Sequence, residues 1–404
     1  MRYLPVFGIL LATLFAPAAR AQPASMPHNV VLFVADGLRA RMVDDATAPT
    51  MAAIARDGVN LRNGHALFPT FTTANASAMA TGHMLGDTGD FSNTIYTGFE
   101  VPGAGKSMTP FLESDPVLGD VDEHFGGNYL NEATILKLAR EKGYSTATIG
   151  KLGPALVFDP TERSGNETIV VDDSTGSARG IPLASDVIER LKAASLPLAA
   201  PPRGVNAAAG NMSIPGTSSA NAIQQDYFAS VATRVVLPAF KTRNKPFVLV
   251  FWSRDPDGTQ HNQGDSLNEL VPGINGPTSL AAIRNADDDL ARIRSALDEL
   301  GLLDTTDMIV TADHGFSTIS KESSTSATVK MKFADVLEGH LPVGFVALDL
   351  AQALNLPLLD PDDGYRSIGE GRHPRLGNGL VGGDRSNPKI VVAANGGSDL
   401  IYIP

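Results

Sequence analysis

The 404-residue sequence contains no cysteine. That absence excludes disulfides, thiol nucleophiles and thiolate metal sites, so any metal must be held by oxygen and imidazole. It also suits a bacterial periplasm better than the medium outside a eukaryotic cell. Basic residues are in deficit, with 32 Lys and Arg against 44 Asp and Glu and a formal net charge of −12. Removing Arg2 and Arg20 with a leader makes it −14. A surface this acidic repels polyanions, which disfavours general nucleic-acid binding. A small phosphate ester is still admissible where cations in a pocket reverse the field locally. A long apolar run is also missing: the longest N-terminal one, residues 6–15, is too short for a membrane span.

What is present at the N-terminus reads as a secretory signal over residues 1–21. Arg2 supplies the positive start, residues 6–15 the apolar centre, and Ala19-Arg20-Ala21 the small-x-small cleavage site before Gln22. The expected location is periplasmic or secreted, with no stable membrane insertion. Hydrophobic residues at 43% and charged residues at 19% then describe a folded globular chain.

From residue 29 the sequence alternates apolar runs with amphipathic stretches. Residues 29–35, 246–252 and 308–311 are continuous apolar runs that read as buried strands. Residues 146–149 give a short strand leading to Lys151, and 343–350, 389–394 and 399–403 are further strand candidates. Helices are expected over 49–56, 131–142, 186–194, 221–242 and 278–300, with the acidic run Asp287-Asp288-Asp289 of the last facing solvent. Residues 83–128 show no sustained period and read as loops, and 196–220 as a long Ala/Pro/Gly/Ser excursion. No internal repeat is visible. The expected fold is α/β: residues 22–404 as one doubly wound domain, with a mostly parallel central sheet, helices on both faces and loop-rich insertions at about 83–130 and 153–220.

In such folds chemistry sits at the carboxyl ends of the strands. Asp36 ends the first apolar run, Asp257 and His261 follow the second, and Asp313-His314-Gly315 end the third. These are more oxygen and nitrogen donors than one tetrahedral ion uses, so two ions are the natural reading, with zinc favoured over manganese or iron. Between them lies the stretch Pro69 to Gly82, small and helix-compatible after a Pro-led turn. A helix starting near Thr72 aims its open N–H groups and positive dipole end at that hydroxyl, which suits a nucleophile for an anionic substrate. Threonine needs a base or a metal ion to act. Asn75, one short turn on, is a candidate amide donor to developing charge.

The order Asp36, Thr72 with Asn75 and Thr81-Gly82, Asp257 with His261, then Asp313-His314-Gly315 resembles the alkaline phosphatase superfamily, and within it the nucleotide pyrophosphatase/phosphodiesterase branch. The resemblance runs from about residue 29 to 317. It implies that Asp36, Thr72, Asp313 and His314 hold the zinc that activates the nucleophile, that Asp257 and His261 hold a second zinc, and that Asn75 contacts a phosphoryl oxygen. It implies attack by Thr72 on a small phosphoester, a phosphothreonyl intermediate and its hydrolysis. Two departures stand out. The family completes its second zinc with a late His-Gly, whereas here His340 precedes Leu341 and His373 precedes Pro374. His373 is the fallback ligand, and a missing C-terminal part of the domain is expected to carry the true one. The bacterial phosphomonoesterase branch has Lys-x-Arg where this chain has Lys151-Leu152-Gly153. Lys151 is therefore a candidate clamp for a terminal phosphate, and monoester against diester stays open. Thr72-Thr73-Ala74-Asn75-Ala76 lacks the nucleophile signature of sulfatases. The alternative outside enzymes is a catalytically inactive metal- or phosphate-binding protein.

Overall fold

The computed structural model describes residues 28–267 and 269–404. The signal reading of residues 1–21 lies outside them. Among the described residues no helix is long and apolar enough to cross a membrane.

Five strands form the central sheet: β1 (Asn29–Ala35), β2 (Ser145–Gly150), β3 (Thr168–Asp172), β4 (Phe247–Ser253) and β5 (Thr306–Thr311). Their order is β3-β2-β4-β1-β5 and every pairing is parallel. A parallel sheet is stable only when both faces are covered, and the sequences of β1 and β4 are apolar on both alternations for that reason. On one face Val31, Phe33, Ile149 and Phe251 pack against Phe228 and Val231 of the helix Ala222–Val231 and Leu290, Ile293 and Leu297 of Pro277–Glu299. On the other, Leu32, Val34, Val250 and Trp252 meet Ala76 and Ala80 of the helix Thr72–Thr81, with Leu118, Leu136 and Leu156. Each such side chain contributes about 1.5–3 kcal/mol by leaving water. The architecture is therefore α/β with helices on both faces.

The register brings the strand ends into line. Ala35 lies beside Ser253, Val34 beside Thr311, and Gly150 beside Trp252. Residues just past these positions therefore emerge at one edge.

A second sheet holds the C-terminal strands: β6 (Leu358–Asp360), β7 (Arg366–Ser367), β8 (Gly379–Val381), β9 (Ile390–Ala394) and β10 (Asp399–Tyr402), antiparallel in the order β10-β9-β8-β6-β7. The late strands thus stand apart from the central sheet. It docks on the long 83–130 segment through Met108, Leu380 and Val391, and through Asn395, which accepts from Thr94 N–H at 2.7 Å.

Three expectations need correction, and one strand was not expected. Residues 343–350 do not form a strand; the helix Phe345–Leu354 stands there, burying Ala347, Leu348 and Ala351, and ends at Asn355 in the left-handed region (φ 51°). The acidic run 287–289 does not face solvent as a whole, since only Asp288 is exposed. Asp287 accepts from the N–H groups of Thr50 and Met51, so it caps the helix Pro49–Asp57, whose own preceding residue Ala48 has no side-chain cap. Asp289 accepts from Gln225 Nε2. Residues 83–128 are not loop throughout, for they contain the helices Leu85–Thr88 and Asp115–His124. Strand β3 has no counterpart among the expected elements.

Candidate active site

The helix Thr72–Thr81 begins at the carboxyl edge of the sheet, and Gly82 ends it in the left-handed conformation with its N–H on Ala78 O. Thr81 spends its hydroxyl on Ser77 O, so the Thr81-Gly82 pair serves the helix terminus. Thr72, at the first turn, is buried, with Oγ1 3.2 Å from His314 Nε2 and 3.3 Å from Lys151 Nζ.

Asp36 and Asp313 face that hydroxyl from the ends of β1 and β5. Asp36 Oδ2 accepts from Lys151 Nζ (2.8 Å) and from the only tryptophan, Trp252 Nε1 (2.7 Å), while Oδ1 has no hydrogen-bond partner. Asp313 Oδ1 accepts from the N–H groups of Gly37 (3.0 Å) and His314 (2.9 Å), while Oδ2 is unpartnered. Both free oxygens lie near His314 Nε2, at 3.6 and 3.3 Å. The other ring nitrogen, Nδ1, lies 2.7 Å from Gly315 O, which can only accept, so Nε2 is the nitrogen turned to the two carboxylates. Buried oxygens without donors beside an imidazole nitrogen are a combination that a divalent cation can satisfy. Asp36, Asp313 and His314 could hold a metal ion in this sense, with one ligand atom from each within 4.8 Å of the others. Burial and the nearby Asp36 charge push Asp313 up to about 8. Burial works against the His314 imidazolium, but Asp313 and Asp36 outweigh it and bring that group to about 8 as well.

The loop after β4 is locked to the loop after β1. Asp257 N–H donates to Asp36 O at 2.9 Å. Gly37 is left-handed (φ +69°), and a Cβ there would come within 3.0 Å of the Asp257 Cβ, so the close approach requires glycine. Asp257 turns Oδ2 to Lys151 Nζ (3.1 Å), while Oδ1, buried and without a hydrogen-bond partner, lies 3.2 Å from His261 Nε2. Burial opposes its ionisation, yet Lys151 and His261 hold its carboxyl well below the usual range.

Lys151 is the centre of this second group. It is 2% exposed and reaches Asp36, Asp257 and, at 3.3 Å, Glu113. Burial alone would depress it, but Asp257, Asp36 and Glu113 hold the ammonium well above the ordinary lysine value. It is not a solvated loop lysine. Position 153, where the monoesterase pattern carries arginine, has no room for a side chain: a Cβ would stand 2.5 Å from Glu113 Cα. Arg254, just past β4, enters the cleft instead and is fixed by Asp173 at 2.8 Å.

Two expected residues lie elsewhere. Asn75 does not face the cleft, because its Oδ1 accepts from Leu67 N–H and its Nδ2 donates to the carbonyls of Leu67 and Phe71. An amide that does line the cleft is Asn93, which accepts from Thr73 N–H at 2.9 Å and donates to Glu113 Oε1 at 3.1 Å. His373 does not join the ligands; it bonds to Asp335 at 3.1 Å and packs on Phe333. His340 lines the cleft wall outside the ligand cluster. Asn93 and Glu113 fall in the segment that reads as loop, where no periodic signal marks them.

The cleft over these residues is about 1760 Å³ and is walled on its far side by Leu376, Asn378 and Asn395 of the C-terminal region.

Among curated proteins none matches the chain in sequence. Solved structures do match at low identity. Murine ectonucleotide pyrophosphatase / phosphodiesterase 5 is 16% identical, with a TM-score of 0.43, over 74% of this chain and 59% of its own. An inactive form of it, in complex with AMP, gives 15% identity and 0.42 over the same shares. Phosphonoacetate hydrolase from Sinorhizobium meliloti 1021, in complex with phosphonoformate, is 16% identical with a TM-score of 0.42, over 72% of this chain and 56% of that one. The chain therefore spans less than two thirds of the length of each. The profile of one family, described as type I phosphodiesterase / nucleotide pyrophosphatase, matches residues 30–370. Over that span, which takes in the helix of Thr72 and the triad at the sheet edge, the chain belongs to the type I phosphodiesterase / nucleotide pyrophosphatase family.

Proposed function

We propose that this chain is a zinc-dependent hydrolase of small phosphoesters in which Thr72 is the nucleophile. The observation that carries the reading is the Thr72 hydroxyl at a helix N-terminus, 3.2 Å from His314 Nε2 and beside the unpartnered oxygens of Asp36 and Asp313. Asp36, Asp313, His314 and Thr72 would hold a zinc ion, which would supply the charge that lowers the pKa of the Thr72 hydroxyl. The remaining work falls to the chain. Helix N–H groups and the Thr72 position favour an anionic phosphoryl group. Thr72 Oγ1 forms a bond to phosphorus as the ester P–O bond breaks and the leaving group departs with the electron pair. Water then cleaves the phosphothreonine and returns the threonine. Arg254 and Asn93, both lining the cleft, are the candidate donors to the phosphoryl oxygens, the role first expected of Asn75.

Diesters and nucleotide pyrophosphates stand ahead of monoesters. Three ammonium protons on Lys151 already meet acceptors on Asp36, Asp257, Glu113 and Thr72, so clamping a terminal phosphate would break one of those bonds. Export rests on the character of residues 1–21. The test is hydrolysis of bis-p-nitrophenyl phosphate against p-nitrophenyl phosphate, with an acid-quenched search for phosphothreonine by mass spectrometry. Turnover with a phosphate on Thr72, both lost in Thr72→Ala, supports the reading. A folded, zinc-loaded protein with no turnover on either ester sinks it and leaves a binding protein.

A further inference from the structure

Two arginines from distant parts of the chain stand side by side in the cleft. Arg254 lies just past β4 and Arg203 in the excursion of residues 196–220, and both line the cavity. Gly258, the residue after Asp257, lies between them: a Cβ there would stand 2.7 Å from Arg254 Cγ and 3.4 Å from Arg203 Nη2. Burial, and then the like charge of Arg254, push Arg203 below the ordinary arginine value.

Neither guanidinium is spent. Arg254 donates to Asp173 Oδ1 at 2.8 Å, while its Nε is buried without a partner. Asp173 Oδ2 accepts from Leu152 N–H at 2.8 Å, so the same carboxylate ties Arg254 to the residue after Lys151. Arg203 is anchored on neutral acceptors, with Nε and Nη2 on Asn206 Oδ1 (2.8 and 2.6 Å) and Nη2 also on Gly258 O (2.6 Å). Asp255, whose charge also reaches Arg203, has both oxygens on other donors: Thr259 Oγ1, Asn221 N–H and Asn285 Nδ2. Each guanidinium carries five N–H donors in a fork that suits carboxylate and phosphate oxygens. A chain of net charge −12 does not gather such cations by surface composition. The cleft, at about 1760 Å³, has room for far more than one reacting phosphoryl group.

We propose that Arg203 and Arg254 form an anion subsite beside Asp257, and that the substrate is a phosphoester carrying a second, non-reacting anionic group, a carboxylate or a phosphate. This rests on the phosphoester reading above, in which Arg254 also serves the reacting phosphoryl group. Arg203 is then the residue that sets specificity, since its charge has no carboxylate partner among the contacts that anchor it.

The test uses symmetric diaryl phosphates whose two rings end in carboxymethyl or carboxyethyl arms, each beside its neutral carboxamide and its phosphonate counterpart. Symmetry presents the anion to the subsite whichever ester bond breaks. Zinc-loaded full-length wild type should show a KM on the order of 10-fold to 100-fold lower for the better anionic arm than for its carboxamide, the scale of hydrogen bonds to a charged group. Whether carboxylate or phosphonate is preferred then names the second group. The preference should disappear in Arg203→Gln and persist in part in Arg203→Lys, which keeps the charge and loses the fork. An Arg203 that merely pins the excursion to Gly258 would move anionic and neutral esters alike. Equal KM for anionic and neutral esters in the wild type, a comparison independent of any variant's folding, overturns the inference and leaves the proposed function intact. A preference that survives undiminished in Arg203→Gln also overturns it. No hydrolysis of any ester by the zinc-loaded wild type overturns both readings.

Discussion

Two groups of ligand-type residues stand on either side of Thr72, and they differ in what is left over. Around His314, two carboxylate oxygens are buried without donors. Around Lys151, Glu113 and one oxygen each of Asp36 and Asp257 already have a cation, and Asp257 Oδ1 alone is left without a donor, beside His261 Nε2. Both groups contain aspartate and histidine at strand ends, so a list of residue types does not distinguish them. The ammonium that the chain itself places among the carboxylates of the second group does.

The sharpest way to break this comparison is to damage each side equally. Asp313→Asn should cost on the order of 10⁴-fold in kcat/KM for a diester, whereas Asp257→Asn, which takes one of three carboxylates from Lys151, should cost on the order of 10²-fold. Equal losses would mean that the two sides do the same job. A smaller effect separates the two amides. Asn93→Ala should lower kcat by roughly 10²-fold, the scale of losing one charge-stabilising donor. Asn75→Ala should leave kcat within about twofold while reducing stability in urea by about 1 kcal/mol, as expected for local hydrogen bonds. The smallest effect lies away from the cleft. Burial and the neighbouring Asp172 push Asp115 up to about 8, so folded protein holds a proton there that unfolded protein releases above its ordinary value near 4. The folded pKa is raised, so its contribution is present below that ordinary value and is lost as pH rises from about 4 towards 8. Asp115→Asn should flatten that decline and stabilise the protein at pH 8 by roughly 1–3 kcal/mol in urea titrations, with kcat unchanged.

Much of the sheet was legible in the sequence because a strand buried on both faces must be apolar at every position. Val30 to Val34 and Phe247 to Trp252 meet that demand and no helix periodicity competes. Strand β3 begins and ends with polar residues, Thr168 and Asp172, at the edge of the sheet, so its short apolar centre gave no comparable signal. The helix Phe345–Leu354 was ambiguous for the opposite reason: a short apolar run fits both periods, and packing against the second sheet decides. Successive helical residues are 100° apart, so three adjacent aspartates cannot share a face. Asp287 and Asp289 accordingly serve two different helices while Asp288 meets water. The triad was legible because its members stand within three residues of a strand end, but Asn75 was chosen by spacing alone and spends its amide on Leu67 and Phe71. The burial of Lys151 had no sequence signal at all, since its three carboxylate partners come from distant parts of the chain.

A cation built into the polypeptide cannot be starved or chelated. Lys151 is made with every copy of the chain, whereas each bound metal must be won from the surroundings against every other protein that wants it.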